Sequence, residues 1–173
     1  MTGIVDIQNE QGYPLDSAHL QRAAQTVLAA HDVPADSTMT VVIAGDDTIT
    51  RLNRDYRGID APTDVLSFPA DAMPDEFDDE PPYLGDLVIA YPYALAQAQQ
   101  HGHTPADSFA LLVVHGTLHL LGYDHDTPEN RASMWQAQER ALLALGISPA
   151  IVPSLAGDDD EHDDDGGLNV GHI

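Results

Sequence analysis

The chain has 173 residues, 43% of them apolar, which is enough for one domain with a sizeable core. Its 29 acidic residues face six arginines and no lysine, and the formal charge of -23 favours solubility and, taken alone, argues against a nucleic-acid partner. Cysteine is absent, which excludes disulfides and thiolate ligands; no signal peptide or membrane-length apolar run is visible, so a cytoplasmic location is expected.

In chain order, Ile4-Val5-Asp6-Ile7 alternates as a first strand does. Asp16 or Ser17 then caps a helix whose Leu20, Ala23, Ala24, Val27 and Leu28 follow the 3.6-residue period, with an expected end near Val33-Pro34. Thr38 to Ala44 is β-branched and short, as a buried strand is. Asp46 and Asp47 place negative charge at the start of the next helix, where its dipole favours it. That helix carries Arg51 and Arg54, with Arg57 just beyond. For the first two, a solvated face pairing with neighbouring Asp and a phosphate contact are both open readings.

Thr63 to Pro69 reads as a third strand. The following Asp71 to Pro82 holds six acids and three prolines, which can neither sustain a ladder nor bury a core, so a solvent loop is expected. Gly85 to Ala90 returns as a strand, with Asp86 at its start in a capping or orienting role rather than as a metal ligand. Pro92 to Gln100 is a helix opened by proline. His101 and His103 follow in a loop with no third partner, as surface residues.

Thr104-Pro105-Ala-Asp107 supplies a cap, a first-turn proline and an acid for the next helix. Its Phe109, Leu111, Leu112, Val114, Leu118 and Leu121 cover most of the circumference, so it should run through the centre of the domain. His115 and His119, four apart, project from one face. Gly122 can end the helix in a left-handed conformation, and the Tyr-Asp turn can swing His125 back over that face. A lone histidine on an apolar helix is ordinarily a core residue; the third histidine is what favours a metal. Three neutral imidazoles leave one position of a tetrahedral ion open, as in a catalytic rather than a structural zinc site, so one Zn2+ per chain is expected on His115, His119 and His125. Asp124 or Asp126 could accept the hydrogen bond that fixes a ligand's tautomer.

Asp126 or Thr127, with Pro128, starts a last helix striped by Met134, Ala137, Ala141, Leu142 and Leu145, with Trp135 at the edge of the stripe. The expected fold class is α+β (mixed α/β): a single domain over residues 1–150, with about four strands in a mixed sheet and about five helices. Residues 151–173 form an acidic, Gly-rich tail expected to be disordered; seven acids between Asp158 and Asp165 leave the rest of the chain at -16.

The His115 to His125 pattern resembles the metzincin protease signature, but Gly116 stands where that family has its general-base Glu, so peptide hydrolysis loses its base. All eleven residues are similar to the H-G-x-L-H-L-x-G-Y-D-H signature of the YbeY family of bacterial endoribonucleases. A second block agrees: Asn53-x-x-Tyr56-Arg57-Gly58, Pro62 to Pro69, and Gly85-Asp86-Leu87-Val88-Ile89. The resemblance implies a single-strand-specific, metal-dependent endoribonuclease acting in 16S rRNA 3′-end maturation and ribosome quality control. It implies His115 and His119 at the reacting centre and Arg57 as an activity residue, a planar fork suited to phosphate. The implied partners are single-stranded ribosomal RNA, including the 16S 3′ region, and ribosome or small-subunit proteins, with no membrane and no DNA. The residues alone reach only a metal-assisted hydrolase. A non-catalytic, zinc-braced assembly or RNA-binding factor, and a metal-dependent hydrolase of another substrate, stay open at this point.

Overall fold

Among the described residues, five amphipathic or buried helices and four short strands have few ways to hide their apolar faces, and the observed solution is a mixed sheet with helices on both sides. The computed structural model describes residues 3–70 and 82–151. The expected solvent loop lies outside these residues except for Pro82, and the tail beyond Ile151 lies outside them entirely.

The elements are β1 (Ile4–Gln8), α1 (Ser17–Ala30), β2 (Thr38–Ala44), α2 (Asp46–Arg57), β3 (Val65–Pro69), β4 (Tyr83–Ala90), α3 (Tyr91–His101), α4 (Pro105–Leu120) and α5 (Pro128–Ala144). A short 3₁₀ turn, Pro149–Ile151, follows and buries Ile151, so the packed core extends to that residue. The sheet order is β1-β2-β4-β3, with β1, β2 and β4 parallel and β3 antiparallel at the edge. The α+β architecture expected from the sequence is therefore the one present.

Alternation sorts the strands' side chains between two cores. Val5, Met39, Val41, Ile43, Val65, Leu87 and Ile89 join α1, α3, α4 and α5 in the larger one. Ala44, Leu66, Val88 and Ala90 pack with Ile49 of α2 in the smaller one, on the other face. Thus α4 and α2 lie on opposite sides of the sheet.

Several boundaries differ from expectation for local reasons. Helix α1 stops at Ala30, three residues early: His31 turns its Nδ1 onto the Val27 carbonyl at 2.8 Å, and Asp32 takes a left-handed φ of 59°. Strand β3 begins at Val65 because the buried Asp64 accepts from the Val65 amide at 2.8 Å and holds the chain in a turn. Strand β4 starts two residues early, at Tyr83, and the register with β2 shifts between Thr38 and Met39, a bulge. Asp86 is therefore inside the strand rather than at its start. The bulge puts Tyr83 on the same face, where its hydroxyl donates to Asp86 and lies 3.1 Å from Thr40 Oγ1. Partial burial and then the Asp86 carboxylate push the Tyr83 phenol above its ordinary pKa.

Candidate metal centre

Helix α4 is buried on every side from Phe109 to Leu120, which places its histidines in the interior. Thr104 caps it by accepting from the Asp107 amide at 3.2 Å. Gly116 lies against β4: a Cβ built there would stand 2.8 Å from Leu87 Cδ2. A side chain at this position, such as the glutamate of the metzincins, would press its first carbon against Leu87 and force that side chain to shift, so glycine suits the close helix-to-sheet packing.

The helix ends as expected on Gly122, at a φ of 102°. The Tyr123 amide donates to Leu118 O and the Gly122 amide to His119 O, both at 3.0 Å, the paired bonds of a Schellman turn. This turn brings His125 back over the face that carries His115 and His119. The ligand-type nitrogens of the three histidines lie within 4.8 Å of one another, and all three residues are buried. They form the only such three-residue group among the described residues, and they can hold a metal ion.

Hydrogen bonds assign the protons. His115 Nδ1 lies 2.8 Å from Gln138 Oε1, and His119 Nδ1 lies 3.0 Å from the Tyr123 carbonyl oxygen. Both partners are acceptors, so each Nδ1 carries the hydrogen and each Nε2 presents its lone pair. Those two Nε2 atoms face one another at 3.2 Å. Two lone pairs at that distance repel unless a cation lies between them. The third imidazole beside them favours a metal ion over a shared proton.

The partners that orient the His115 and His119 rings are Gln138 and the Tyr123 carbonyl. Asp124 Oδ1 accepts from the main-chain amide of His125, and Asp126 Oδ1 from Asn130 Nδ2, each at 2.8 Å. Sequence reasoning missed Gln138, yet a signal was available: it sits four residues after Met134, a lone polar side chain on the apolar stripe of α5, and it is completely buried. Trp135 does more than edge that stripe. Its ring stands 5.7 Å from that of His115 and 5.9 Å from that of His125, nearly edge-on to both.

The remaining candidates fall elsewhere. Arg57 is the last residue of α2, half-buried and followed by Gly58 in a left-handed cap. Its helix lies across the sheet from α4. The chain after it is tied back to α2 by Asn53, whose Nδ2 donates to Ala61 O at 2.9 Å. Arg54 pairs with Asp55 at 3.5 Å and Asp60 at 3.7 Å, the solvated-face reading, and Arg51 is exposed. His101 is exposed and His103 half-buried, with ring centres 6.2 Å apart, outside the three-histidine group.

Residues 6–146 match the family model described as Endoribonuclease YbeY. This chain belongs to that family. Among its relatives, the Endoribonuclease YbeY of Chloroflexus aurantiacus (strain ATCC 29366 / DSM 635 / J-10-fl) is 46% identical over 147 residues, covering 83% of this chain and 96% of that protein. That of Moorella thermoacetica is 42% identical over 153 residues, covering 82% and 96%. The solution structure of TM1509 from Thermotoga maritima is similar in fold, with a TM-score of 0.56 and 25% identity over 82% of this chain and 89% of that one. The family is named for RNA cleavage, and no helix among the described residues is long and apolar enough to cross a membrane.

Proposed function

We propose that this protein is a zinc-dependent endoribonuclease, cutting single-stranded ribosomal RNA in the 16S 3′ region in the cytoplasm. The observation that carries the metal half of this reading is the 3.2 Å between His115 Nε2 and His119 Nε2. Nitrogens about 2.0–2.1 Å from a tetrahedral zinc stand roughly 3.3 Å apart. Family membership carries the RNA half.

His115, His119 and His125 would hold the ion, and bound there it supplies Lewis-acid activation of water and of a phosphoryl oxygen. The chain's own residues do the rest. Gln138 and the Tyr123 carbonyl keep Nδ1 protonated on two rings and so aim both Nε2 lone pairs at one point. Trp135 packs its ring against His115 and His125 and limits their swing. Arg57, by the family resemblance, would neutralise charge that develops on the phosphoryl oxygens.

The test is cleavage of defined single- and double-stranded RNAs by the purified protein, with and without a chelator, beside His119→Ala and Arg57→Ala. The expected result is cutting of single strands only, abolished by chelation and by His119→Ala. Arg57→Ala should keep its metal and lose on the order of 10²-fold in turnover. Chelator-resistant cutting would remove the metal from the mechanism, and unchanged turnover in Arg57→Ala would remove that residue.

A further inference from the structure

We infer that His31 is a positioning residue for the metal centre, acting through Tyr123 on His119. The inference rests on the reading of His119 as a ligand and adds to it the residue that caps the end of α1, 88 positions earlier in the chain.

The bonds run in one direction. His31 Nδ1 lies 2.8 Å from the Val27 carbonyl oxygen, an obligatory acceptor, so this nitrogen carries the ring hydrogen. His31 Nε2 is then an acceptor, and it lies 2.9 Å from the Tyr123 hydroxyl, which must donate to it. The two rings meet edge to face, with centres 5.3 Å apart and planes at 87°. At its other end Tyr123 is fixed by its main chain. Its amide donates to Leu118 O at 3.0 Å, and its carbonyl oxygen accepts from His119 Nδ1 at 3.0 Å.

Tyr123 thus joins the end of α1 to a ligand ring. It needs an outside anchor because it follows Gly122, whose positive φ of 102° marks a sharp turn with no side chain to stiffen it. Rotation of the peptide after Tyr123 would swing its carbonyl off His119 and displace Asp124 and His125 with it. A hydrogen bond from the phenol to the histidine that caps a separate, packed helix opposes that rotation. The same bond makes the closing of α1 onto α4 and the aiming of His119 one event rather than two.

The test uses Tyr123→Phe, which keeps the ring and removes only the hydroxyl, with His31→Ala and the double variant. Zinc affinity is measured by chelator competition and ligand geometry by the visible absorption bands of the cobalt(II)-loaded protein. Folding is monitored by circular dichroism and the thermal midpoint of the metal-free form. Each single variant should bind zinc about ten-fold more weakly, as loss of an outer-shell partner does, and shift the cobalt bands. The double variant should be no weaker than the singles, because both remove the same bond. A lower thermal midpoint with unchanged affinity and cobalt bands would overturn the proposal and leave His31 a packing residue. Additive losses would overturn the path through Tyr123. If the unaltered protein binds no zinc, or His119→Ala binds it equally well, it is the ligand assignment that fails and this inference falls with it.

Discussion

Gln138 is the residue that most changes the account of this site. It donates nothing to the hydrophobic stripe on which it sits, and burying an amide there costs free energy unless it is bonded. Its Oε1 bond to His115 is the return on that burial. Gln138→Leu keeps the approximate volume and removes the acceptor, so zinc affinity should fall by about 10- to 100-fold while the fold persists. Chelator competition would check this; an unchanged affinity would mean that packing alone aims His115. At this scale the three histidines were readable from spacing, since a four-residue step on a helix and a glycine-ended turn are local geometry. Their partners were not. Gln138 comes from another helix and is marked only as a lone polar residue on an apolar stripe, and the Tyr123 oxygen is main chain, marked by no residue type.

At the scale of elements, the site depends on how closely α4 approaches the sheet. Gly116 permits that approach, and Gly116→Ala sets two effects against each other. Alanine favours the helix by about 1 kcal/mol. Its methyl, however, would sit 2.8 Å from a Leu87 side chain that is itself completely buried, and overpacking of this kind costs about 1–3 kcal/mol. The expected net result is a modest destabilisation in denaturant unfolding, with weaker zinc binding as His115 moves with its helix. A stabilised variant with unaltered affinity would show that the helix and strand have slack. The elements themselves were largely legible, because hydrophobic period and capping residues are local. Thr38 to Ala44 is reproduced to the residue, and Thr104 caps α4 as expected. The ends that were missed are those decided by tertiary bonds: His31 at the end of α1, Asp64 before β3, and the bulge that lets β4 begin at Tyr83.

For the whole molecule, the charge of -23 and the six arginines constrain any RNA complex. Helix α2 carries three arginines and so offers phosphate at most three contacts, about three released counterions and a log-log salt slope near -2 for a single strand, and the pairing of Arg54 with two aspartates makes the slope shallower. Repulsion from the acidic remainder acts oppositely and is screened beyond roughly 8 Å at physiological ionic strength. Affinity for a short single-stranded RNA, followed by fluorescence anisotropy across a salt series, should therefore change weakly or pass through a maximum. A monotonic slope steeper than about -4 would require cations that this chain lacks. Cutting the chain after Pro153 retains the buried Ile151 and removes seven clustered acids; the fold and the metal should survive it, as a thermal midpoint within a few degrees of the full chain would show. Fold class was accessible from element order, but the layering that sets α2 and α4 on opposite faces of the sheet was not, because a crossover's side is set by the assembled sheet rather than by either helix.

The most direct measurement is metal stoichiometry by elemental analysis of the purified protein and of His115→Ala, His119→Ala and His125→Ala, each checked for folding. About one zinc per chain should be found in the unaltered protein, and each substitution should remove most of it, because two imidazoles cannot replace three. Full occupancy in any of the three folded variants would contradict the assignment of that histidine and, with it, the centre on which the proposed chemistry depends.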